Sequence, residues 1–315
     1  MTRGAMNVID RETLEKTLTL DDALQSQRDA FRALAAGAVS LPLRSRFDWP
    51  AIRSCTLVMP AMQAGNPLLC MKIVQVSDSG GVSGQILAID TRSQAPVAVM
   101  DAEAITLLRT AAASALSALH LAPPRVDVVA VFGTGHQAAA HVQALRHAQV
   151  GGQFRIWGRN PEHAGQLAAR LRAALEVDVR AVRDPQAAIR GAQLVCTCTP
   201  ATAPLFAAED LGDDVHLVAM GGYRPDMCEL PADAFRQAFV CVDQLQAAKA
   251  EAGDLLAAER AGVLDWSRVR ELGEVLERSR TARPARRTMF KSLGIAVQDH
   301  ALASLALRKL GLFPG

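Results

Sequence analysis

The sequence predicts an α/β protein built from two parts, and three observations support this fold class. Four short apolar runs between residues 53 and 100 are separated by Gly, Asn, Ser and Asp, which is typical of a meander of strands. Beyond residue 128, apolar runs of strand length alternate with helical stretches, which favours a parallel sheet with right-handed crossovers. Between these parts, Pro123 and Pro124 follow a long helical stretch and predict a domain boundary.

The first part begins with a predicted helix and continues with strands. Asp21 and Asp22 lie near the start of this helix and Gly37 near its end, as expected at helix termini. We predict helices over about 20–38 and 102–119, and strands over 53–60, 68–76, 84–90 and 96–100.

The second part reads as alternating strands and helices. We predict strands over 128–132, 154–157, 193–199, 215–220 and 239–242, and helices over 136–147 and 161–174. A last helix, over about 298–310, is expected to pack back onto the first part.

A glycine turn joins the first strand of the second part to its helix. Gly133 permits the tight turn, Gly135 lets the backbone approach a pyrophosphate, and Ala138 replaces the third glycine of a dinucleotide-binding loop. The helix start also offers N–H groups to phosphates. The loop therefore predicts a Rossmann-type, doubly wound sheet that binds a dinucleotide, and the alternative is a glycine turn without a ligand. The residues expected at the cofactor are Gly133, Thr134, Gly135, His136, Gln137 and Ala138.

The end of the next strand indicates which dinucleotide is bound. An NAD site usually has an acid there for the ribose 2′-hydroxyl, but this chain has Gly158, Arg159 and Asn160. A guanidinium and an amide suit a 2′-phosphate, which favours NADPH over NADH. Arg159 could alternatively be a solvated turn residue. Thr197 and Thr199, at the carboxyl end of another strand, are also expected beside the cofactor.

Composition restricts the partners of the chain. Its 315 residues include 34 basic and 32 acidic ones, for a net charge of +2 without a basic stripe, so we expect no nucleic-acid partner. We find no secretory signal pattern and no apolar run of membrane-spanning length, and we expect a cytoplasmic protein without a membrane partner. Cys196 and Cys198 would share one strand face as buried thiols, and we expect no metal site.

Three cations lie where charge is costly. Lys72 interrupts an apolar strand, Arg109 lies in a helix of small and apolar residues, and Arg46 lies near a strand entrance. Together they predict a pocket for a small carboxylate, which arginine binds in a bidentate manner and lysine as a point charge. The alternative is that each cation pairs with a nearby acid, namely Asp48, Asp101 or Glu103.

Five segments together resemble the ornithine cyclodeaminase/mu-crystallin family, and the resemblance covers nearly the whole chain. They are Met71–Lys72, Leu108–Ser114, Phe132–Ala138, Gly221–Leu230 and Phe290–Gly294. The resemblance implies a Rossmann domain, residues 121–295, inserted in an α+β substrate-binding and dimerisation domain, residues 1–120 plus 296–315. It also implies an active site in a cleft and a homodimer formed through the sheet of the first domain.

The resemblance further assigns roles to residues. It implies that Arg46, Lys72 and Arg109 hold the substrate carboxylate. The residues that it implies at the cofactor are Thr110, Met220, Ser292 and Gly294.

One departure from the cyclodeaminases bears on the activity. Where they have an Asp after the Gly-Gly pair, this chain has Tyr223, and its loop is similar to that of the ketimine reductases. We therefore expect an NAD(P)H-dependent oxidoreductase that reduces Δ1-pyrroline-2-carboxylate to L-proline or Δ1-piperideine-2-carboxylate to L-pipecolate. Lys72 or a water would protonate the imine, and Asp226 would stabilise the cation. The alternatives are ornithine cyclodeamination, an alanine dehydrogenase-type reaction, and a catalytically silent cofactor-binding protein.

Overall fold

The computed structural model describes residues 6–77, 82–277 and 283–314, which form two compact units. The first unit comprises Met1–Arg109 and Ile295–Gly315, and the second comprises Thr110–Gly294. This division falls inside a long helix, whereas the sequence places the domain limits at 120/121 and 295/296. Those limits stay a prediction.

The elements are numbered along the chain. The strands are β1 Asn7–Ile9, β2 Val39–Ser40, β3 Ser45–Trp49, β4 Ser54–Gln63, β5 Asn66–Ser77, β6 Val82–Asp90, β7 Ala95–Asp101, β8 Val128–Phe132, β9 Gln153–Trp157, β10 Asp178–Ala181, β11 Leu194–Thr197, β12 Val215–Ala219, β13 Phe239–Val242, β14 Arg270–Glu271 and β15 Arg287–Lys291. The α-helices are α1 Arg11–Thr17, α2 Leu20–Ala35, α3 Ala102–Leu121, α4 His136–His147, α5 Pro161–Leu175, α6 Pro185–Ile189, α7 Leu245–Glu251, α8 Gly253–Arg260, α9 Leu272–Leu276 and α10 Ala296–Lys309.

The first unit is organised around a seven-stranded sheet, counted over its described residues. The strand order is β1-β7-β6-β5-β4-β2, and β3 also pairs with β4. Neighbouring strands are antiparallel, except for the parallel pair β1 and β7. The predicted meander of four strands is therefore confirmed as β4 to β7.

One face of this sheet is buried beneath α10, and Lys72 lies on that face. Side chains alternate between the two faces of a strand, so Leu68, Cys70 and Lys72 of β5 all point to the buried side. The helix α10 packs against β4, β5 and α2. Met59 and Ala296 belong to one core cluster there. The alternation thus places a lysine among apolar side chains.

The second unit contains a parallel sheet with strands in the order β10-β9-β8-β11-β12-β15-β13-β14. All pairings in this sheet are parallel. Its first five strands in chain order take the 3-2-1-4-5 arrangement of doubly wound folds, so the strand order reverses between β8 and β11. The predicted fold class is confirmed, and the glycine loop follows β8 at this switch point.

Three strands of this sheet, β10, β14 and β15, were not predicted from the sequence, and β14 has only the two residues Arg270 and Glu271. The edge strand β10 reads Asp-Val-Arg-Ala, which lacks an apolar run. The central strand β15 begins with Arg287 and ends with Lys291, although Thr288, Met289 and Phe290 between them are buried. Its charged ends conceal a short buried strand from pattern analysis.

The helix α3 corrects one expectation about membranes. It is 20 residues long and, by length and composition, apolar enough to cross a membrane, so the statement that no run reaches that length was wrong. However, 72% of its apolar window is buried inside the protein, as in the core helix of a soluble protein.

Candidate active site

The two buried cations predicted from the sequence lie in the first unit and share the carboxylate of Asp299. Lys72 comes from β5, and its Nζ lies 2.7 Å from Oδ2 of Asp299. Arg109 comes from α3, and its Nε donates to Oδ1 of Asp299 at 3.1 Å. Lys72, Arg109 and Asp299 are 3%, 5% and 1% exposed. These three residues, which we name the Asp299 cluster, include an acid that the sequence analysis did not single out.

Arg46 is placed differently from the other two cations. It lies on β3, is exposed, and its Nη2 is 2.7 Å from Oδ1 of Asp48. Arg46 thus makes the local ion pair that the sequence offered as the alternative, and its substrate role stays a prediction. Lys72 and Arg109 also pair with an acid of the protein, as in that alternative, but this acid is Asp299 on α10 and not one of the acids near them in the sequence.

The cluster has a surplus positive charge. Burial lowers the pKa of Lys72 to about 8, the negative charge of Asp299 opposes this shift, and the positive charges of Arg109 and Arg44 add to it. Burial alone would raise the pKa of Asp299, but the charges of Lys72 and Arg109 outweigh burial and lower it. At neutral pH the cluster therefore holds two cations and one anion.

Two donors, one in the cluster and one beside it, remain for a ligand. Nη1 of Arg109 donates to Oε1 of Gln298 at 3.2 Å, and the same oxygen accepts the N–H of Ile295. Among the described residues, Nη2 of Arg109 has no hydrogen-bond partner, and neither does the buried Nε2 of Gln298. A guanidinium edge with paired N–H groups suits a carboxylate. The cluster can therefore bind one organic acid.

The glycine loop of the second unit has the shape of a dinucleotide cradle. Gly133 has a φ of +123°, and a Cβ there would lie 2.6 Å from the carbonyl oxygen of Cys198. A Cβ on Gly135 would meet no atom within 4 Å, and no side chain caps α4 at this residue. Gly158 lies against the loop, since a Cβ added at this residue would be 2.5 Å from Cγ2 of Thr134. Open space before an uncapped helix start fits a phosphate.

The residues that follow β9 are available to a ligand. Arg159 is exposed, and no ion pair or hydrogen bond of its side chain is found within the described ranges. Asn160 caps α5, with its Oδ1 accepting the N–H of Glu162 at 2.9 Å. The cap uses only the oxygen of this amide. The geometry is compatible both with the predicted 2′-phosphate contact and with a solvated arginine.

Glu229 links the ends of β11 and β12, and the sequence analysis assigned it no role. Its Oε1 accepts both the N–H and the hydroxyl of Thr199 at 2.8 Å, and its Oε2 accepts the N–H of Gly221 at 2.8 Å. The side chain is fully buried, and burial raises its pKa. Glu229 itself is held by Asp254, whose Oδ1 accepts its N–H. This carboxylate fixes the strand ends that face the switch point.

Other residues predicted at the cofactor lie at or just after the ends of β11, β12 and β15, and one lies on α3. The hydroxyls of Thr197 and Ser292 are buried and have no hydrogen-bond partner in the part of the chain that the structure describes, which suits a ligand contact. The N–H of Met220 donates to Thr197, and the N–H of Gly294 donates to Asp243. Thr110 is buried on α3. These cofactor contacts stay predictions.

Asp226 lies in the loop after Met220 and is engaged by a neighbour. Its carboxylate accepts two hydrogen bonds from Arg224, each of 3.0 Å, and its side chain is 64% exposed. Charge neutralisation by Arg224 weakens the case for Asp226 as a group that stabilises an iminium, and this role stays a prediction.

Comparison with known proteins identifies the family. The model of the ornithine cyclodeaminase/mu-crystallin family matches residues 5–309. This chain belongs to that family. The ketimine reductase mu-crystallin of Mus musculus is 35% identical over 275 residues, which is 85% of each chain. The resemblance noted in the sequence is therefore confirmed.

Two solved structures are similar to this protein over nearly the whole chain. One is Thermococcus litoralis Δ1-pyrroline-2-carboxylate reductase in complex with NADH and L-proline, with a TM-score of 0.92, 25% identity, and coverage of 96% of this chain and 97% of that one. Another is an archaeal alanine dehydrogenase dimer with bound NAD, with a TM-score of 0.88, 25% identity, and coverage of 96% and 95%.

Two glycine variants should distinguish the contribution of the loop to stability from its contribution to cofactor binding. Gly135→Ala places a methyl group in open space, so we expect unchanged thermal stability but at least about tenfold weaker NADPH binding, because the methyl group excludes the phosphates. Gly133→Ala should lower the melting temperature, because it combines a positive φ with a backbone clash. Calorimetric titration and thermal unfolding measure the two effects. Full NADPH affinity in Gly135→Ala would contradict the assignment.

Proposed function

We propose that this protein is an NAD(P)H-dependent reductase of cyclic ketimine carboxylates. Its substrates are Δ1-pyrroline-2-carboxylate, which gives L-proline, or Δ1-piperideine-2-carboxylate, which gives L-pipecolate. The observation that carries the proposal is the Asp299 cluster, a buried site with one surplus positive charge and unused donors. The names of the mouse and Thermococcus relatives support the same class of substrate.

The cluster binds the substrate through its carboxylate. Nη2 of Arg109 and Nζ of Lys72 approach the anion, and the shared Asp299 keeps the two cations a fixed distance apart. An imino acid held at its carboxylate has its C2 and ring nitrogen fixed relative to the protein. This alignment lowers the entropic part of the barrier.

Lys72 is the group best suited to protonate the imine. Its pKa of about 8 keeps the ammonium charged at neutral pH while leaving it more acidic than an ordinary lysine. An N–H bond of Lys72 breaks as the imine nitrogen gains the proton, and solvent later restores the ammonium. A bound reduced nicotinamide would supply the hydride that C2 accepts, and the electron pair of the C=N bond would become the lone pair of the product amine.

Tyr223 supports reduction over cyclodeamination. It occupies the position after Gly221 and Gly222 where, by the family resemblance, the cyclodeaminases have an Asp. A phenol is neutral at physiological pH and cannot replace a carboxylate beside an amine. The second candidate, an amino-acid dehydrogenase, is supported by the similar archaeal alanine dehydrogenase.

We further propose that NADPH is preferred over NADH. The exposed side chain of Arg159 and the amide nitrogen of Asn160 follow β9, where a 2′-phosphate would lie.

We also propose that the protein is a homodimer formed through the open face of the first sheet. Apolar side chains cross five neighbouring strands in register, and the row comprises Val8, Val99, Leu87, Met71 and Pro60. Ile73 on the same face is 39% exposed. Exposed apolar patches of this kind mark protein interfaces.

Initial rates with a panel of substrates test the activity. We expect NADPH oxidation to be fastest with the two cyclic imines, slower with pyruvate plus ammonia, and not to be matched by NAD-dependent ammonia release from L-ornithine. Ornithine turnover that rivals imine reduction would overturn the proposal. Absence of turnover with every substrate, despite NADPH binding, would favour a silent cofactor-binding protein.

Arg159→Asp tests the cofactor preference. Removing a guanidinium and adding a negative charge should lower the ratio of kcat/KM for NADPH to that for NADH by about tenfold or more, because charge-assisted hydrogen bonds to a phosphate are lost. Arg180→Asp, an equal charge change on β10 at a residue paired with Asp178, is the control. An unchanged ratio in Arg159→Asp would show that the arginine is only a solvated turn residue.

Ile73→Glu tests the dimer. A carboxylate in a buried apolar interface is costly, so we expect sedimentation to change from a dimer to a monomer. Gln75→Glu puts the same charge on the same face of β5, at an already polar position, and should have a smaller effect. A dimer in Ile73→Glu as stable as that of the natural sequence would place the interface elsewhere.

A further inference from the structure

We infer that Asp299 is a positioning residue for the proposed reduction, one that keeps Lys72 protonated and aligned with Arg109. The inference rests on the proposed function and adds to it a residue that does not touch the reacting atoms. Asp299 would act through the two cations that bind and protonate the imino acid.

The two oxygens of Asp299 serve different cations. Oδ2 lies 2.7 Å from Nζ of Lys72, and Oδ1 accepts Nε of Arg109 at 3.1 Å. A lysine side chain has four rotatable bonds and holds no fixed position without a partner. Asp299 lies in the first turn of α10, where the helix dipole also favours a carboxylate. One rigid helix end therefore fixes the spacing of both cations.

The surroundings of Lys72 leave Asp299 as the acid that keeps it charged, within the part of the chain that is described. The thiol of Cys70, on the same face of β5, is neutral because burial raises its pKa to about 12. The polar groups that face Lys72 from other elements are Asp299 on α10, Thr106 and Arg109 on α3, and Arg44 before β3. Of these, Asp299 supplies the negative charge.

Loss of the negative charge of Asp299 would change the protonation state of Lys72. Burial, Arg109 and Arg44 all lower the pKa of Lys72, and Asp299 opposes them. Without Asp299 the pKa of Lys72 is lowered further, so the ammonium loses its proton at a lower pH. Arg109 still attracts a carboxylate, but the proton that the imine needs is gone.

Asp299→Asn tests this role through the pH dependence of kcat/KM, with NADPH and Δ1-pyrroline-2-carboxylate as substrates. In the natural protein we expect kcat/KM to fall above about pH 8, where Lys72 deprotonates. In Asp299→Asn this fall should begin at least about one pH unit lower, so that the ratio of kcat/KM in the natural protein to kcat/KM in the variant grows about sevenfold or more between pH 6 and pH 8.5. Asp299→Glu keeps the charge and should return the fall toward its original pH. A deficit equal at every pH would overturn the inference.

A matched control exists in the second unit. Lys291 and Asp254 form another buried pair, also 2.7 Å apart and at most 1% exposed. Asp254→Asn should lower the melting temperature through loss of a buried ion pair, yet leave the pH at which kcat/KM falls in place. If the pH at which kcat/KM falls shifted as far in Asp254→Asn as in Asp299→Asn, general destabilisation would explain both shifts and the inference would be wrong.

The number of protons that the protein takes up when an analogue binds tests the role of Asp299 without turnover. Pyrrole-2-carboxylate, a planar analogue, is titrated at pH 7 in two buffers of different ionisation enthalpy. Lys72 with a pKa of about 8 is about 90% protonated at pH 7, so binding should take up only about 0.1 proton. We expect uptake above about 0.5 in Asp299→Asn, and none in the same variant combined with Lys72→Met.

The two experiments separate the inference from the proposed function. If no imine is reduced, the proposed function fails, while proton uptake still decides the role of Asp299. If Asp299→Asn does not fold, Asp299→Glu tests the inference instead. A pH of the kcat/KM fall that lies a full unit from that of the natural protein would contradict a role based on charge.

Discussion

A single carboxylate between two buried cations is the interaction on which the first unit and its proposed chemistry depend. A buried ammonium and a buried guanidinium are each costly unless they are paired, and removing one partner of such a group costs several kcal/mol. Asp299 pairs with Lys72 and Arg109 at once, so the interior tolerates both. Since one anion cannot neutralise two cations, the site retains an attraction for an acidic ligand. Structural stability and the proposed substrate affinity thus depend on the same three side chains.

The second unit has a different structural requirement, which is to leave backbone N–H groups accessible to a ligand. Gly133 and Gly158 let chain segments approach more closely than a side chain permits, and Gly135 leaves open space. Glu229 then ties Thr199 to Gly221 through a buried carboxylate. Rigid strand ends around an open loop are what a dinucleotide site requires, because the phosphates bind to backbone groups that must be in place beforehand.

The features that were predicted correctly depend on residues that are close together in the sequence. The loop after β8 is defined by glycines within six residues, and β8, α4 and β13 have the predicted bounds. Lys72 and Arg109 were recognised because a charge in an apolar run is costly wherever its partner lies.

Their partner could not be recognised in the same way. Asp299 is 190 positions from Arg109 and lies in the first turn of a helix, where an acid is ordinary. Glu229 contacts Thr199 across 30 positions, and its burial depends on the tertiary fold. For Arg46, the local alternative with Asp48 describes the observed ion pair. Sequence patterns identify costly groups, whereas their partners come from the fold.

A crystal structure with NADP+ and pyrrole-2-carboxylate would test the central claim most directly. The account predicts that the carboxylate of the analogue lies within hydrogen-bonding distance of Nη2 of Arg109 and Nζ of Lys72, with Asp299 still bound to both cations. An analogue bound elsewhere, with Lys72 and Arg109 engaged only by Asp299 and Gln298, would contradict the assignment of this cluster as the substrate site.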